Sequence, residues 1–436
     1  MLYLLPLLLC ILPPDDWTEF HGGSKGGVRD DVKLPTEWST TKNVAWATDI
    51  PGLAWSSPVT WKGKIFLTSV VREGKPEAVA DAKKGLYFGG EKSKPPEETY
   101  RWIVYCLDEA TGKILWEKVA HTGKVDRGKH VKNSYASETP VVDQNHLYVC
   151  FGNLGLYTYD HDGNQLWKQP IPSQPTMMSW GPAASPTAHN GRLYFVYDND
   201  KDSYIVCLDG MTGSQLWKEK RDEKSNWATP FVWVNDQRTE IITAGKNKIR
   251  SYDLDGKLLW ELGGMSSITV PTPFVANGLL YVSSGYVMDQ KARPVYAIKP
   301  GAKGDISFAG DTPDNPYVLW VQRKAGPYMP TPLVYRGLCY VLYDQGFLAA
   351  FDARTGKEVI AKTRFKGKSS GFTSSPWAYD GKVFCLNEDG DCFVIEAGKE
   401  FKQVGINKLD ELCMATPAIT DKSLLIRTAS KLYCIR

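Results

Sequence analysis

The chain has 436 residues, 42% hydrophobic and 23% charged, with a formal net charge of +3. That composition suits a soluble globular protein with a sizeable core, and a near-neutral balance without a basic stripe argues against a nucleic-acid partner. With 39 glycines, 27 prolines, 15 tryptophans and 22 tyrosines, the chain reads as many turns between aromatic strands.

The first segment, Met1 to Leu12, is apolar and breaks at Pro13-Pro14. It is too short to span a bilayer and fits the apolar region of a signal peptide over 1–14, so export to the periplasm or beyond is expected. No basic residue precedes it, and Leu9 before Cys10 is a poor lipidation context, so simple cleavage is favoured. Residues 15–41 follow as an extended arm, and one domain is expected over 42–436, with no transmembrane segment. The nine cysteines contain no C-x-x-C and no adjacent pair. That argues against zinc, c-type haem or a redox dithiol. Most sit in apolar strand-like runs such as "VYCLD", where thiols act as small buried hydrophobes.

From residue 56 the chain repeats itself. Each copy opens with a Ser/Thr-Pro dipeptide, an apolar run, a short turn and a second apolar run. The dipeptide recurs at Ser57-Pro58, Thr139-Pro140, Ser185-Pro186, Thr229-Pro230, Thr272-Pro273, Thr331-Pro332, Ser375-Pro376 and Thr416-Pro417. A third strand ends near Asp, a Gly turn follows, and a fourth strand carries tryptophan, as in "YCLDEATGKILWEKV" (105–119). Four short strands per copy, at a period of roughly 40–45 residues, are the signature of a propeller blade. Eight marks predict an all-β, eight-bladed propeller. The eighth copy stops one strand short at the C-terminus, and "KNVAWATDI" (42–50) supplies the missing strand, with Trp46 in the repeat position. The N-terminal strand is therefore expected to close the ring. Trp46, Trp116, Trp167, Trp217 and Trp260 are read as scaffold residues that dock blade on blade, with Trp320 serving blade five after an insertion. Blades six and seven place Ile360 and Lys402 at that position.

"LDEATGKILW", "LDGMTGSQLW" and "FDARTGKEVI" resemble the tryptophan-docking repeat of PQQ-type, quinoprotein-like propellers over about residues 40–436. "WTEFHGGSKGGV", "KNSYASETP" and "GGMSSITVPTP" are similar to stretches of secreted bacterial PQQ-like propeller proteins. At fold level the chain also resembles the lipoprotein scaffold of the outer-membrane barrel-assembly machine. The superfold hosts dehydrogenases and scaffolds alike.

In such propellers the inter-blade links and the loops between second and third strands share one face. Here that face is the irregular one, where function concentrates. It holds the charged loop 71–99 and the polar link 121–137, which carries Arg127 and His130 toward the mouth. The residues before each Ser/Thr-Pro are expected to rim the central funnel: Trp55, Tyr135, Trp180, Trp227, Val270, Tyr328, Phe372 and Met414. Polar neighbours are Lys132, Asn133, Glu138, Arg221 and Asn226. An aromatic collar of this kind stacks a flat ligand or a sugar ring; the alternative is a packed plug. The resemblance to quinoprotein dehydrogenases implies PQQ with calcium as cofactor, but the adjacent cysteines of that family are missing and no Asp or Asn matches its metal and base positions. No hydrolase motif occurs. The acidic stretches "YDND" (197–200) and "NEDGD" (387–391) suit turns better than calcium loops. The sequence thus favours a binding or scaffolding module for a protein partner, a carbohydrate or a small molecule, with a PQQ/calcium oxidoreductase or a carbohydrate-cleaving propeller as alternatives.

Overall fold

The computed structural model describes residues 16–74, 94–289, 292–309, 315–369 and 371–436. The signal peptide expected over 1–14 and most of loop 71–99 lie outside the described residues. Eight sheets, each with four antiparallel strands, form the eight blades of a ring. Blade one is Val59–Trp61, Lys64–Arg72, Thr99–Asp108 and Ile114–Lys124. Blade eight takes Ala418–Ile419, Leu424–Arg427 and Lys431–Ile435 from the C-terminus and Val44–Asp49 from the N-terminus. The closing strand pairs antiparallel, Trp46 opposite Cys434 and Asp49 opposite Lys431. The expected eight-bladed ring and its closure are both present.

Burial explains the strand patterns. Inner strands lie between neighbouring blades and are buried throughout, as in Leu147–Phe151 and Leu338–Tyr343. Outer strands have one face on the next blade and one in solvent, so Ile114–Lys124 alternates half-buried with exposed. The described cysteines are buried in these inner strands and links and form no disulfide with one another.

The tryptophans dock across blades through a shared geometry. The indole N–H of Trp46 donates to the Glu109 carbonyl at 3.0 Å, that of Trp167 to Gly210 at 2.9 Å, that of Trp217 to Leu254 at 2.9 Å, and that of Trp320 to Ala353 at 2.9 Å. Trp116 reaches His161 in the same way at 3.2 Å. Each ring lies on the Gly turn of the following blade. A Cβ at Gly112 would sit 2.4 Å from the Trp46 ring, and the φ of +71° there already disfavours any other residue. Gly112→Ala is therefore expected to destabilise the ring at its closing seam by about 2–4 kcal/mol. Gly191 is the control: its φ is +73°, and a Cβ added there would meet nothing within 4 Å. Gly191→Ala should lose only the roughly 1 kcal/mol of backbone strain, and denaturation midpoints of the two variants separate the contributions.

Trp260 departs from the expected role. Its N–H donates within its own blade, to Glu240 Oε2 at 2.6 Å, and the residue is fully buried. The cause is the insertion at 299–317, which replaces the Gly turn of blade five. Its segment Gly304–Asp305 pairs in parallel with the outer strand Leu258–Gly263 of blade four and covers the edge.

The Ser/Thr-Pro marks form a ring of their own. The backbone N–H of Ser57 donates to Thr139 Oγ1 at 3.0 Å, that of Thr139 to Ser185 Oγ at 2.9 Å, and that of Ser185 to Thr229 Oγ1 at 3.1 Å. Thr272, Thr331 and Ser375 hand on in turn to Thr331, Ser375 and Thr416 at 2.9–3.0 Å. Six of the eight blade starts are thus tied to the next by a short side chain that accepts a backbone proton, while the following proline needs no partner for an N–H it lacks.

The arm crosses the far end of the channel. Trp17 exchanges hydrogen bonds with Thr60 of blade one, the Thr18 carbonyl accepts from Val142 of blade two, and Glu19 accepts from Thr187 of blade three. His21 meets the Pro376 carbonyl at 3.0 Å, Gly27 and Arg29 pair with Ala378 of blade seven, and Asp30 accepts from Tyr335 of blade six. A segment this short touches the inner strands of so many blades only on the axis.

Candidate functional site

Above the arm the channel widens into a cavity of ≈ 890 Å³. Its wall contains all eight Ser/Thr residues of the ring, and its mouth is built from the inter-blade links and from the loops at 286–288 and 344–345. Those are the two loop sets expected to share a face. Of the arm, Phe20 lines the cavity and forms its floor.

The predicted collar divides. Trp55, Trp180, Trp227 and Tyr328 line the cavity, as do Val270 and Met414. Trp180 and Trp227 tilt against each other with ring centres 5.7 Å apart, and the Trp227 indole N–H donates to the Gly181 carbonyl at 2.7 Å, which fixes the ring. Tyr328 stands 5.3 Å from Tyr286, a ring that the repeat pattern does not single out because it lies on a loop inside blade five. Phe372 is not on the rim: it is fully buried and packs on Phe365 and Phe393, ring centres 5.4 and 5.8 Å away. Tyr135 turns outward, donates to the Arg127 carbonyl at 3.2 Å, and lines a separate void of ≈ 30 Å³.

The polar neighbours divide as well. Lys132 lines the cavity, and its ammonium meets Glu388 Oε1 at 2.7 Å, which also accepts from Thr373 at 2.7 Å. Glu388 is fully buried, so its charge answers that of Lys132. Asn133 lines the wall but acts as a clamp, donating to the carbonyls of Trp180 and Pro182 at 2.8 and 3.0 Å. Glu138 belongs to the small void beside Tyr135, where it accepts from the Gly152 N–H at 3.1 Å. Arg221 grips Asp198 with two bonds of 2.8 and 3.0 Å, and Asn226 accepts from the Thr269 N–H at 2.9 Å. Both are buried in the frame and neither lines the cavity. "YDND" and "NEDGD" are turns, as expected, organised by Asn199 and Asn387.

Two features of the wall escape the repeat pattern. Asp344 faces the cavity from blade six, and burial raises its carboxyl above the ordinary range against the opposing charges of Lys132, Arg293 and Lys362. Met177, Met178, Met288, Met329 and Met414 give the wall five of the chain's 8 methionines, polarisable groups that adapt to varied apolar shapes.

The fold family implies PQQ with calcium, and these residues do not fit the pair. PQQ is a flat tricarboxylate, yet the described wall offers the Lys132 ammonium, already engaged by Glu388, and places the Asp344 carboxyl in the same lining. Among the described residues no group of His, Cys, Asp and Glu is arranged to hold a metal. No helix among them is long and apolar enough to cross a membrane.

Comparison with known proteins agrees with the fold. The family described as outer membrane protein assembly factor BamB matches residues 101–287 and 201–436. Tetrathionate hydrolase of Acidithiobacillus ferrooxidans is 25% identical over 280 residues, 59% of this chain and 48% of that protein. Polyvinylalcohol dehydrogenase of a Pseudomonas species is 25% identical over 199 residues, 42% of this chain and 26% of that protein. The chain thus spans about half, or less, of the length of these relatives. Among solved structures, BamB from Moraxella catarrhalis superposes with a TM-score of 0.53 at 12% identity, covering 89% of this chain and 97% of that one. Quinohemoprotein alcohol dehydrogenase from Comamonas testosteroni gives 0.60 at 12% identity, covering 96% and 80%. At such identities the structures speak for the fold alone. With its repeats matched from residue 101 to the C-terminal Arg436, the chain belongs to the PQQ-like, BamB-type family of β-propellers.

Proposed function

We propose that this protein is an exported binding propeller that holds an organic ligand in the axial cavity and offers its loop face as the contact surface. The observation that carries this reading is the ≈ 890 Å³ cavity with the faces of Trp55, Trp180, Trp227, Tyr286 and Tyr328 around it. Its size and mix of aromatic wall with a few polar groups are those of a ligand site. The relatives support binding without choosing a reaction: one is an assembly factor, one a hydrolase of an inorganic anion, one a dehydrogenase of a hydroxylated polymer. Export is supported by the apolar leader and by membership of a family described by an outer-membrane assembly factor.

The neutral apolar dye Nile red tests the cavity directly. One saturable site per chain is expected, with Trp227→Ala weakening it by about tenfold, since loss of a stacking ring removes roughly 1 kcal/mol or more. The fold should survive, because Trp227 is only half-buried. Absence of saturable binding, or equal affinity in the variant, would remove the cavity as the site.

A further inference from the structure

We infer that the cavity receives the end of a polyhydroxylated chain, entering from the loop face and stopping on Phe20. This rests on the reading of the cavity as the ligand site and adds to it the direction of entry and the chemistry of the ligand.

The geometry of entry follows from the arm. Residues 17–30 are tied to the inner strands of blades one, two, three, six and seven at the far end of the channel. Trp17 is fully buried there and His21 nearly so. A chain therefore cannot thread the ring: whatever enters past Trp180 and Trp227 meets a floor. A closed-bottomed well on the axis of a propeller reads ends, not middles.

The chemistry follows from the wall. The ring hydroxyls of Thr139, Ser185, Thr331, Ser375 and Thr416 accept backbone protons, and each keeps its own proton to give. The wall thus presents uncharged hydroxyl donors and acceptors around the axis, with the Lys132 charge answered by Glu388 and the Asp344 carboxyl on one side. A purely apolar guest leaves these hydroxyls unpaired, and a polyanion meets the Asp344 carboxyl and a Lys132 already held by Glu388. Hydroxyls both donate and accept, and the C–H faces of a hydroxylated chain lie on aromatic rings. An oligosaccharide and a polyol share this chemistry.

The test is displacement of Nile red from the full chain by maltohexaose, cellohexaose and short linear polyvinyl alcohol, each followed by its longer polymer. The expected result is displacement by at least one series, with protein bound per chain staying constant as the chain lengthens. Response to a saccharide alone identifies a sugar ligand, and response to polyvinyl alcohol alone identifies a polyol. Phe20→Trp, which raises the floor, should weaken that chain by about tenfold, and Phe20→Ala, which overpacks nothing, should change its length preference. If Nile red binds and none of the chains displaces it, the hydroxylated ligand is overturned while the cavity stands. If protein bound per chain grows with chain length, or if both Phe20 variants bind like wild type, end recognition is overturned.

Discussion

Replacing Arg221 with leucine is expected to destabilise the protein by about 3–5 kcal/mol while leaving Nile red affinity unchanged. Sequence position makes Arg221 a funnel candidate, yet its guanidinium is sealed in the packing of blades three and four. It donates to both oxygens of Asp198, to Thr243 Oγ1 at 2.7 Å and to the Tyr252 hydroxyl at 3.2 Å. The side chains of Arg221 and Asp198 are 0% and 1% exposed. Removing the cation leaves a buried carboxylate without its partner, which is more damaging than never having had the pair. Arg221→Leu combined with Asp198→Leu should therefore recover a large part of the loss. Denaturant midpoints of the single and double variants measure the coupling, and the dye titration reads the site separately. Loss of dye binding in a folded Arg221→Leu protein would return this residue to the site.

Glu138 sets the second large effect, a pH dependence of stability. Burial pushes its carboxyl up from 4.5 to about 8, against the opposing backbone N–H bonds. An acid whose pKa is raised by folding holds its proton more tightly folded than unfolded. Its contribution is most favourable below pH 4.5 and is lost as the pH rises to about 8, on the order of a few kcal/mol across that window. Glu138→Gln keeps an oxygen for the Gly152 N–H and removes the titration. The variant is expected to unfold near the wild-type temperature at about pH 5 and several degrees above it at about pH 8.5. Thermal scans at the two pH values check this, and a constant difference between the proteins at both would contradict it.

The sequence carries the ring because every blade repeats the same local physics. Ser/Thr-Pro starts an inner strand, Asp108 and its counterparts Asp209 and Asp352 cap the turn by accepting from the threonine three residues on, and a Gly leaves room for the tryptophan of the preceding blade. These signals lie within a dozen or so residues of one another and survive in the primary structure. Closure by Trp46 is legible for the same reason, as a repeat strand in the wrong place.

The site is legible only where it coincides with the repeat. Trp55 and Trp227 stand two residues before their blade marks and line the cavity, as does Thr373 two before Ser375; Phe372, three before that mark, instead packs on Phe365 and Phe393. Lys132 and Glu388 meet across 256 residues of chain, and His21 reaches Pro376 across 355, so no local pattern announces either. The arm, which the sequence marks only as extended, closes the channel through backbone bonds and through Glu19, His21 and Asp30, whose partners lie more than a hundred residues along the chain. Trp260 misleads for the opposite reason: its motif is intact, and the exception lies in the neighbouring blade, whose insertion removes the docking turn.

Hydrogen–deuterium exchange on the dye-saturated protein tests the central claim most directly. With the ligand in the axial cavity, exchange should slow in the links 130–139, 177–185 and 328–331 and in the loop 286–288, while the outer strands keep their free-state rates. Protection confined to the outer strands, or spread evenly over all eight blades with the links unchanged, would place the ligand elsewhere and contradict the account.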